Sequence, residues 1–181
     1  MIQTERLLLR PPEVGDAEAA YRQLSDPEVM RWIGIDGATG TYADAEERVV
    51  RWRRAWELDG FGHFMVARRD TGRVVGRVGL LCWDPATWKN STRAEIGERA
   101  ETELGWGLEH VAWGHGYATE AAIGVRDWAL REVQPRRLIS LIHPENVRSI
   151  RVAEKIGEQY QHDIVMHHGA TAQLWALPSR P

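Results

Sequence analysis

The chain has 181 residues, 43% of them hydrophobic and 27% charged, which is enough ordinary globular sequence to bury a core. A formal net charge of −3, with 23 Lys and Arg scattered among 26 acids, argues against a nucleic-acid binder. One cysteine, Cys82, excludes an internal disulfide or a cysteine metal cluster, and no run reaches the roughly 20 apolar residues of a membrane helix.

In chain order, residues 5–10 read as a strand stopped by Pro11 and Pro12. Asp16 is placed to cap a helix whose apolar face is Ala17, Ala20, Tyr21 and Leu24. Asp26-Pro27 breaks it, and a short helical turn is expected over residues 28–32. Residues 33–41 are glycine-rich and without period, which predicts a mobile loop. A helix is predicted over residues 43–58, ended by Asp59-Gly60.

Residues 61–69 and 73–83 read as a hairpin around Asp70-Thr71-Gly72, where glycine can supply a positive φ. A polar loop over residues 84–92 and a long strand region over 93–111, interrupted near 98–101, are expected next. A helix follows to about Glu132, with Ala118, Ala121, Ala122, Val125 and Ala129 on one face. Residues 137–142 read as a buried strand. Asn146 caps a short helix ending at Gly157, and a last antiparallel hairpin turns at His168-Gly169. The pattern predicts one mixed α/β domain over residues 1–181, with a right-handed crossover placing strands 102–109 and 137–142 parallel and adjacent.

The stretch from Trp113 to Ala122 joins strand to helix through Gly114 and Gly116. The first N–H groups of a helix lack internal partners and carry partial positive charge, so the stretch is either a tight turn or an anion site. The third glycine of a dinucleotide fingerprint is missing, and no Gly-Lys-Ser/Thr occurs.

Glu103-Leu-Gly-Trp-Gly-Leu followed by Trp113-Gly-His-Gly-Tyr-Ala-Thr-Glu-Ala resembles the acetyl-CoA site of the GNAT N-acetyltransferases. More narrowly, it resembles the subgroup of ribosomal-protein alanine N-acetyltransferases. Thr4-Glu-Arg-Leu-Leu-Leu-Arg, Gly76-Arg-Val-Gly-Leu, Asn146-Val-Arg-Ser149 and Glu154-Lys-Ile-Gly157 agree in order. The resemblance implies a central twisted mixed sheet of about seven strands flanked by about four helices. It implies acetyl-CoA as donor, a primary amine as acceptor, direct attack in a ternary complex, and no metal. A non-catalytic CoA-binding sensor is the alternative. A cytoplasmic monomer or homodimer is expected, with no nucleic-acid or membrane partner.

The family's Gln/Arg-x-x-Gly-x-Gly/Ala maps onto Trp113 to Ala118, with Trp113 departing from the pattern either as a ligand contact or as an anchor for the loop. Backbone groups of His115, Gly116, Tyr117, Ala118 and Thr119 would hold the pyrophosphate beside Gly114, and Trp106, Gly107, Leu108 and Val111 would line the pantetheine arm. Asn146 and Ser149 match the family's Asn-x-x-Ser, with Asn146 at the acetyl end and Ser149 protonating the departing thiolate; both also suit a helix start. Tyr160 is a second hydroxyl for the sulfur. Glu103 is the first candidate for general base, against a reading as a surface acid beside Glu98 and Glu101; His63 is the second, and a water relay the third. Trp32, Trp52, Trp56, Trp83 and Trp88 fall in or near the segments that would form the acceptor site.

Overall fold

The computed structural model describes residues 1–33 and 37–178. The N-terminal apolar segments fold back on one another by antiparallel pairing. β1 (Ile2–Gln3) pairs with β2 (Leu7–Arg10), β2 with β3 (His63–Arg68), and β3 with β4 (Val74–Asp84). Gly72, at φ 70°, makes the β3–β4 turn that Asp70-Thr71-Gly72 predicts. β4 then pairs antiparallel along its length with β6 (Glu101–Leu108). β6 lies parallel to β7 (Leu138–Ile142), and β9 (Thr171–Ala176) joins β7 to β8 (Gln159–Val165). With β5 (Lys89–Ser91) on β4, the sheet has nine strands among the described residues, where about seven were expected.

Among the described residues six helices replace the expected four: α1 (Ala17–Leu24), α2 (Pro27–Ile33), α3 (Tyr42–Asp59), α4 (Arg93–Ile96), α5 (Tyr117–Trp128) and α6 (Val147–Lys155). Two segments correct the sequence reading. Residues 84–92 are not simply a loop, because β4 runs to Asp84 and turns into β5. Residues 93–99 are helical rather than extended: the Thr92 hydroxyl accepts from Glu95 N–H while the Glu95 carboxylate reaches back, a capping box that starts α4. Asp16 does not cap α1 with its side chain; its carboxylate takes both Arg10 Nη atoms at 2.7 Å and the Glu13 N–H at 2.7 Å. α3 starts on a Thr41–Asp44 capping box and ends at left-handed Gly60, as its flanks predict. Of the glycine-rich stretch 33–41, residues 34–36 lie outside the described residues.

Alternation along β6 sends its side chains to opposite faces of the sheet. Leu104 and Leu108 pack with Ala121, Ala122, Val125 and Ala129 of α5, above Leu7, Leu9, Phe64, Val66 and Val78. The small residues of α5 let its backbone come close, and each large side chain so buried stabilises by roughly 1.5–3 kcal/mol. Glu103, Gly105 and Gly107 point the other way, and a Cβ on Gly107 would meet Ile33 of α2 and Gln23 of α1. Those helices form a second cluster with α3 through Ala20, Leu24, Met30, Ala45 and Val49.

The expected parallel neighbours β6 and β7 pair only at Thr102–Leu138 and Glu103–Ile139, and then diverge. Glu101, at their base, accepts from Arg136 Nη2 at 2.8 Å and Arg137 Nε at 3.0 Å. The Ser140 hydroxyl bridges the widening gap to the Leu104 carbonyl at 2.8 Å. The splay opens the centre of the sheet, and two cavities lie on it.

Candidate active site

The chain leaves β6 through a 3₁₀ turn, His110–Ala112, and enters α5 through the glycine loop. Gly114 and Gly116 have φ of 80° and 79°, a left-handed conformation that side chains disfavour. Trp113 Nε1 donates to the Leu108 carbonyl at 3.0 Å, tying the loop to the end of β6. Arg6 Nη1 donates to the His115 carbonyl at 2.9 Å from outside. In the first turn of α5, Glu120 accepts from Thr4 Oγ1 at 2.6 Å and from Arg6 N and Nε at 2.8 and 2.7 Å. The loop is therefore clamped from the N-terminal strand, and Tyr117, Ala118 and Thr119, the first residues of α5, whose N–H groups lack helical partners, lie beside it.

These groups border a cavity of about 360 Å³. Its lining includes Trp106, Gly107, Leu108, Trp113, Gly114, Gly116, Tyr117, Ala118, Thr119, Asn146 and Ser149, all expected from the sequence. Two of the expected residues do not border this cavity. Val111 is 73% exposed and outside the lining. His115 also lies outside it, its ring stacked on Tyr117 at 5.6 Å. The sequence reading passed over three cations of α6 that line the same cavity, Arg148, Arg151 and Lys155. Their spacings of three and four place them on one helical face, which is a legible signal. Arg148 lies over the Trp113 ring at 4.8 Å, so Trp113 acts both as loop anchor and as a platform for a cation.

Asn146 Oδ1 accepts from Ser149 N–H at 3.2 Å, the cap of α6. Ser149 Oγ accepts from Trp106 Nε1 at 3.2 Å, which leaves its own hydrogen free to donate elsewhere. Trp106, Asn146 and Ser149 also line a second cavity of about 440 Å³, together with Trp32 and Ile33. The two cavities meet over the β6–β7 splay.

Glu103 stands in the second cavity, 8% exposed, and is not a surface acid. It accepts from Trp83 Nε1 at 2.6 Å and from the Leu141 N–H that the splay releases. Burial raises its pKa, with those donors and Arg77 opposing. His63 lines the same cavity and is 3% exposed. Its Nε2 accepts from Arg77 Nη1 at 3.3 Å, since a guanidinium only donates, so the imidazole proton is on Nδ1. Burial, with Arg77 and Arg48 nearby, holds His63 well below the ordinary imidazole value. A lone pair so engaged is a poor general base, and Glu103 is the stronger of the two candidates.

Other residues singled out in the sequence fall elsewhere. Tyr160 is exposed on β8 and donates to Asp163, away from both cavities. Cys82 is buried, with its thiol pushed up to about 12 by burial. Trp32 and Trp83 line the second cavity. Trp52 meets His63 edge-on at 5.3 Å. Trp56 packs on Phe64 and Trp128 in the core, and Trp88 packs against the β8–β9 hairpin. His167 and His168, in the β8–β9 turn, border the second cavity, and His167 Nδ1 is 3.0 Å from the Trp88 carbonyl. Among the described residues no three His, Cys, Asp or Glu side chains converge as a metal-binding group, and no helix is long and apolar enough to cross a membrane.

A family profile described as an acetyltransferase (GNAT) domain matches residues 6–159, from the arginine that clamps the glycine loop to the start of β8. The chain belongs to the GNAT acetyltransferase family. This GNAT chain is 33% identical to the YkkB protein of Bacillus subtilis (strain 168) over 179 residues, 97% of this chain and 90% of that one. A GNAT-family acetyltransferase from Bacillus anthracis superposes with a TM-score of 0.76 at 27% identity, covering 97% of this chain and 96% of the other. RimL, a ribosomal L7/L12 α-N-protein acetyltransferase solved with coenzyme A, shares the fold with a TM-score of 0.75 at 12% identity, over 96% and 94% of the two chains.

Proposed function

We propose that this GNAT chain is an acetyl-CoA-dependent N-acetyltransferase that moves the acetyl group to a primary amine by direct attack in a ternary complex. The observation that carries this is the meeting of two cavities at Trp106, Asn146 and Ser149. One cavity has an anion-binding helix start and three cations; the other holds a buried carboxylate.

Acetyl-CoA fits the first cavity by charge and shape. The N–H groups of α5, with no Cβ at Gly114 and Gly116, suit the pyrophosphate, and Arg148, Arg151 and Lys155 suit its negative charge. The edge of β6 left unpaired by the splay suits an extended pantetheine arm. From the second cavity comes the amine. Glu103 takes the ammonium proton, so the neutral amine attacks the thioester carbon. As the carbon–sulfur bond breaks, the hydroxyl of Ser149 passes its hydrogen to the thiolate and regains one from the nitrogen that becomes the amide, while Trp106 holds Oγ in place. Holding both reactants over one opening supplies proximity, which converts a bimolecular step into an effectively unimolecular one.

The test is a calorimetric titration with acetyl-CoA, then thiol release with a panel of amines. Binding plus turnover is expected. Binding without turnover on a broad panel would replace the enzyme reading with a CoA-binding sensor, and absence of binding would overturn both. Gly116→Asp is expected to abolish binding, because it sets a carboxylate at the phosphate site and a side chain at φ 79°.

A further inference from the structure

Arginines that touch buried acids in this chain are matched to them. Arg10 meets Asp16, Arg22 and Arg73 share Glu109, and Arg136 and Arg137 share Glu101. Arg77 is different. It lines the acceptor cavity with only part of its surface open, and among the described residues it forms no ion pair. Its guanidinium has one side-chain hydrogen bond, to His63 Nε2. Removal from water lowers Arg77 to about 10, and Arg48 of α3 adds a second positive field. The guanidinium also lies over the Trp52 ring at 5.4 Å, but most of its donors are unused, and its planar fork suits a carboxylate.

The other pole of the cavity is Glu103. Arg77 pairs with Gly107 across β4 and β6, and Leu81 with Glu103, so the two rows are separated by four residues, about 13 Å of strand. The two side chains sense each other's charge without an N···O contact under 4 Å. Gly79 and Gly105, paired between those rows, put no side chain there. The cavity is thus dipolar, acidic at one end and cationic at the other, with glycine backbone between.

Building on the proposed acetyltransferase reading, we propose that the acceptor is a small amine that also carries a carboxylate, an amino-acid-like zwitterion whose carboxylate is read by Arg77. The ammonium end lies toward Glu103, where it loses its proton. A polycationic acceptor is disfavoured by the same geometry, because it sets positive charge against Arg77 and Arg48.

The test compares free α- and ω-amino acids of increasing ammonium–carboxylate separation with their carboxamides, pair by pair, by calorimetry at a pH where both amines are protonated. Titrations are run with and without CoA, so the preference is scored even if CoA does not bind. Failure of CoA binding or of thiol release counts against the acetyltransferase reading alone. In at least one pair the acid is expected to bind roughly 10–100-fold more tightly than the amide. Arg77→Met is expected to remove that preference and leave CoA affinity unchanged, and Arg77→Lys to keep part of it. No pair favouring the acid, or a preference that survives in a folded Arg77→Met protein, overturns the proposal.

Discussion

Glu158 lies buried between α6 and β8, and its behaviour with pH tests the packing beneath the splay. Burial pushes its carboxyl from the ordinary 4.5 up to about 8, with the Ser140 hydroxyl as its hydrogen-bond partner at 3.1 Å. The Ser140 hydrogen is directed to the Leu104 carbonyl, so a protonated Glu158 donates to Ser140 Oγ and completes the chain. Its other oxygen, Oε2, has no partner among the described residues. The perturbation is Glu158→Gln, which keeps a donor toward Ser140 and cannot ionise. The sign follows from proton counting: between pH 4.5 and 8 the native chain holds a proton that the unfolded chain releases. Stability from this group is complete below the unfolded value and is lost as pH rises through the folded one. A tenfold difference in proton affinity between the folded and unfolded chains corresponds to about 1.4 kcal/mol, so the full window is worth at most about 5 kcal/mol, and pH 5.5 to 7.5 about 2–3 kcal/mol. Urea unfolding of both proteins at several pH values, with slopes compared, gives the difference directly. The glutamine protein is expected to match the wild type within about 1 kcal/mol at pH 5.5 and to be the more stable of the two at pH 8.5. A stability difference that does not change with pH would refute the reasoning.

Ser149→Ala is expected to lower kcat on the order of 10²-fold with little change in acetyl-CoA affinity, read from steady-state kinetics beside calorimetry. For Glu103→Gln, the rise of rate with pH through the elevated Glu103 pKa should disappear, since only the ionised carboxylate accepts a proton; a profile identical to wild type would leave a water relay as the base. Removing charge from α6 by Arg151→Ala should weaken CoA binding by roughly 3- to 10-fold and flatten its salt dependence, with amine KM unaffected.

Where chemistry and period coincide, the sequence is a good guide. Thr41 with Asp44 and Gly60 bracket α3; Asp70-Thr71-Gly72 sets the β3–β4 turn; the alanines of α5 and the two loop glycines mark the strand–loop–helix unit. Family resemblance added acetyl-CoA as the expected donor. What stayed hidden has physical causes. β5 is three residues of polar edge strand, with no apolar alternation to reveal it. α4 carries its signal in Thr92 and Glu95, but four residues are too few for a helical period. Glu103 sits in a run of acids, and only its register on β6 buries it against Trp83, while Glu98 lies in the exposed turn before the strand. Tyr160 is readable as a hydroxyl but not as an outward-facing one, because a strand that pairs at the rim can turn either face to solvent. The Arg77 contact with His63 joins residues of adjacent strands, a pairing that composition alone does not give.

The early parting of β6 from β7 has a consequence for solubility. An exposed strand edge invites pairing with another chain, and proteins usually blunt such edges at the periphery. Here the sheet carries an edge in its interior. β7 and β9 bound it on one side and α2 approaches β6 on the other, so a foreign strand has no flat approach to it. Only something narrow and flexible can enter and satisfy those backbone groups, which makes the edge its own filter against aggregation. In the proposed reaction the sheet gains its missing partner from the pantetheine arm and loses it again when CoA leaves.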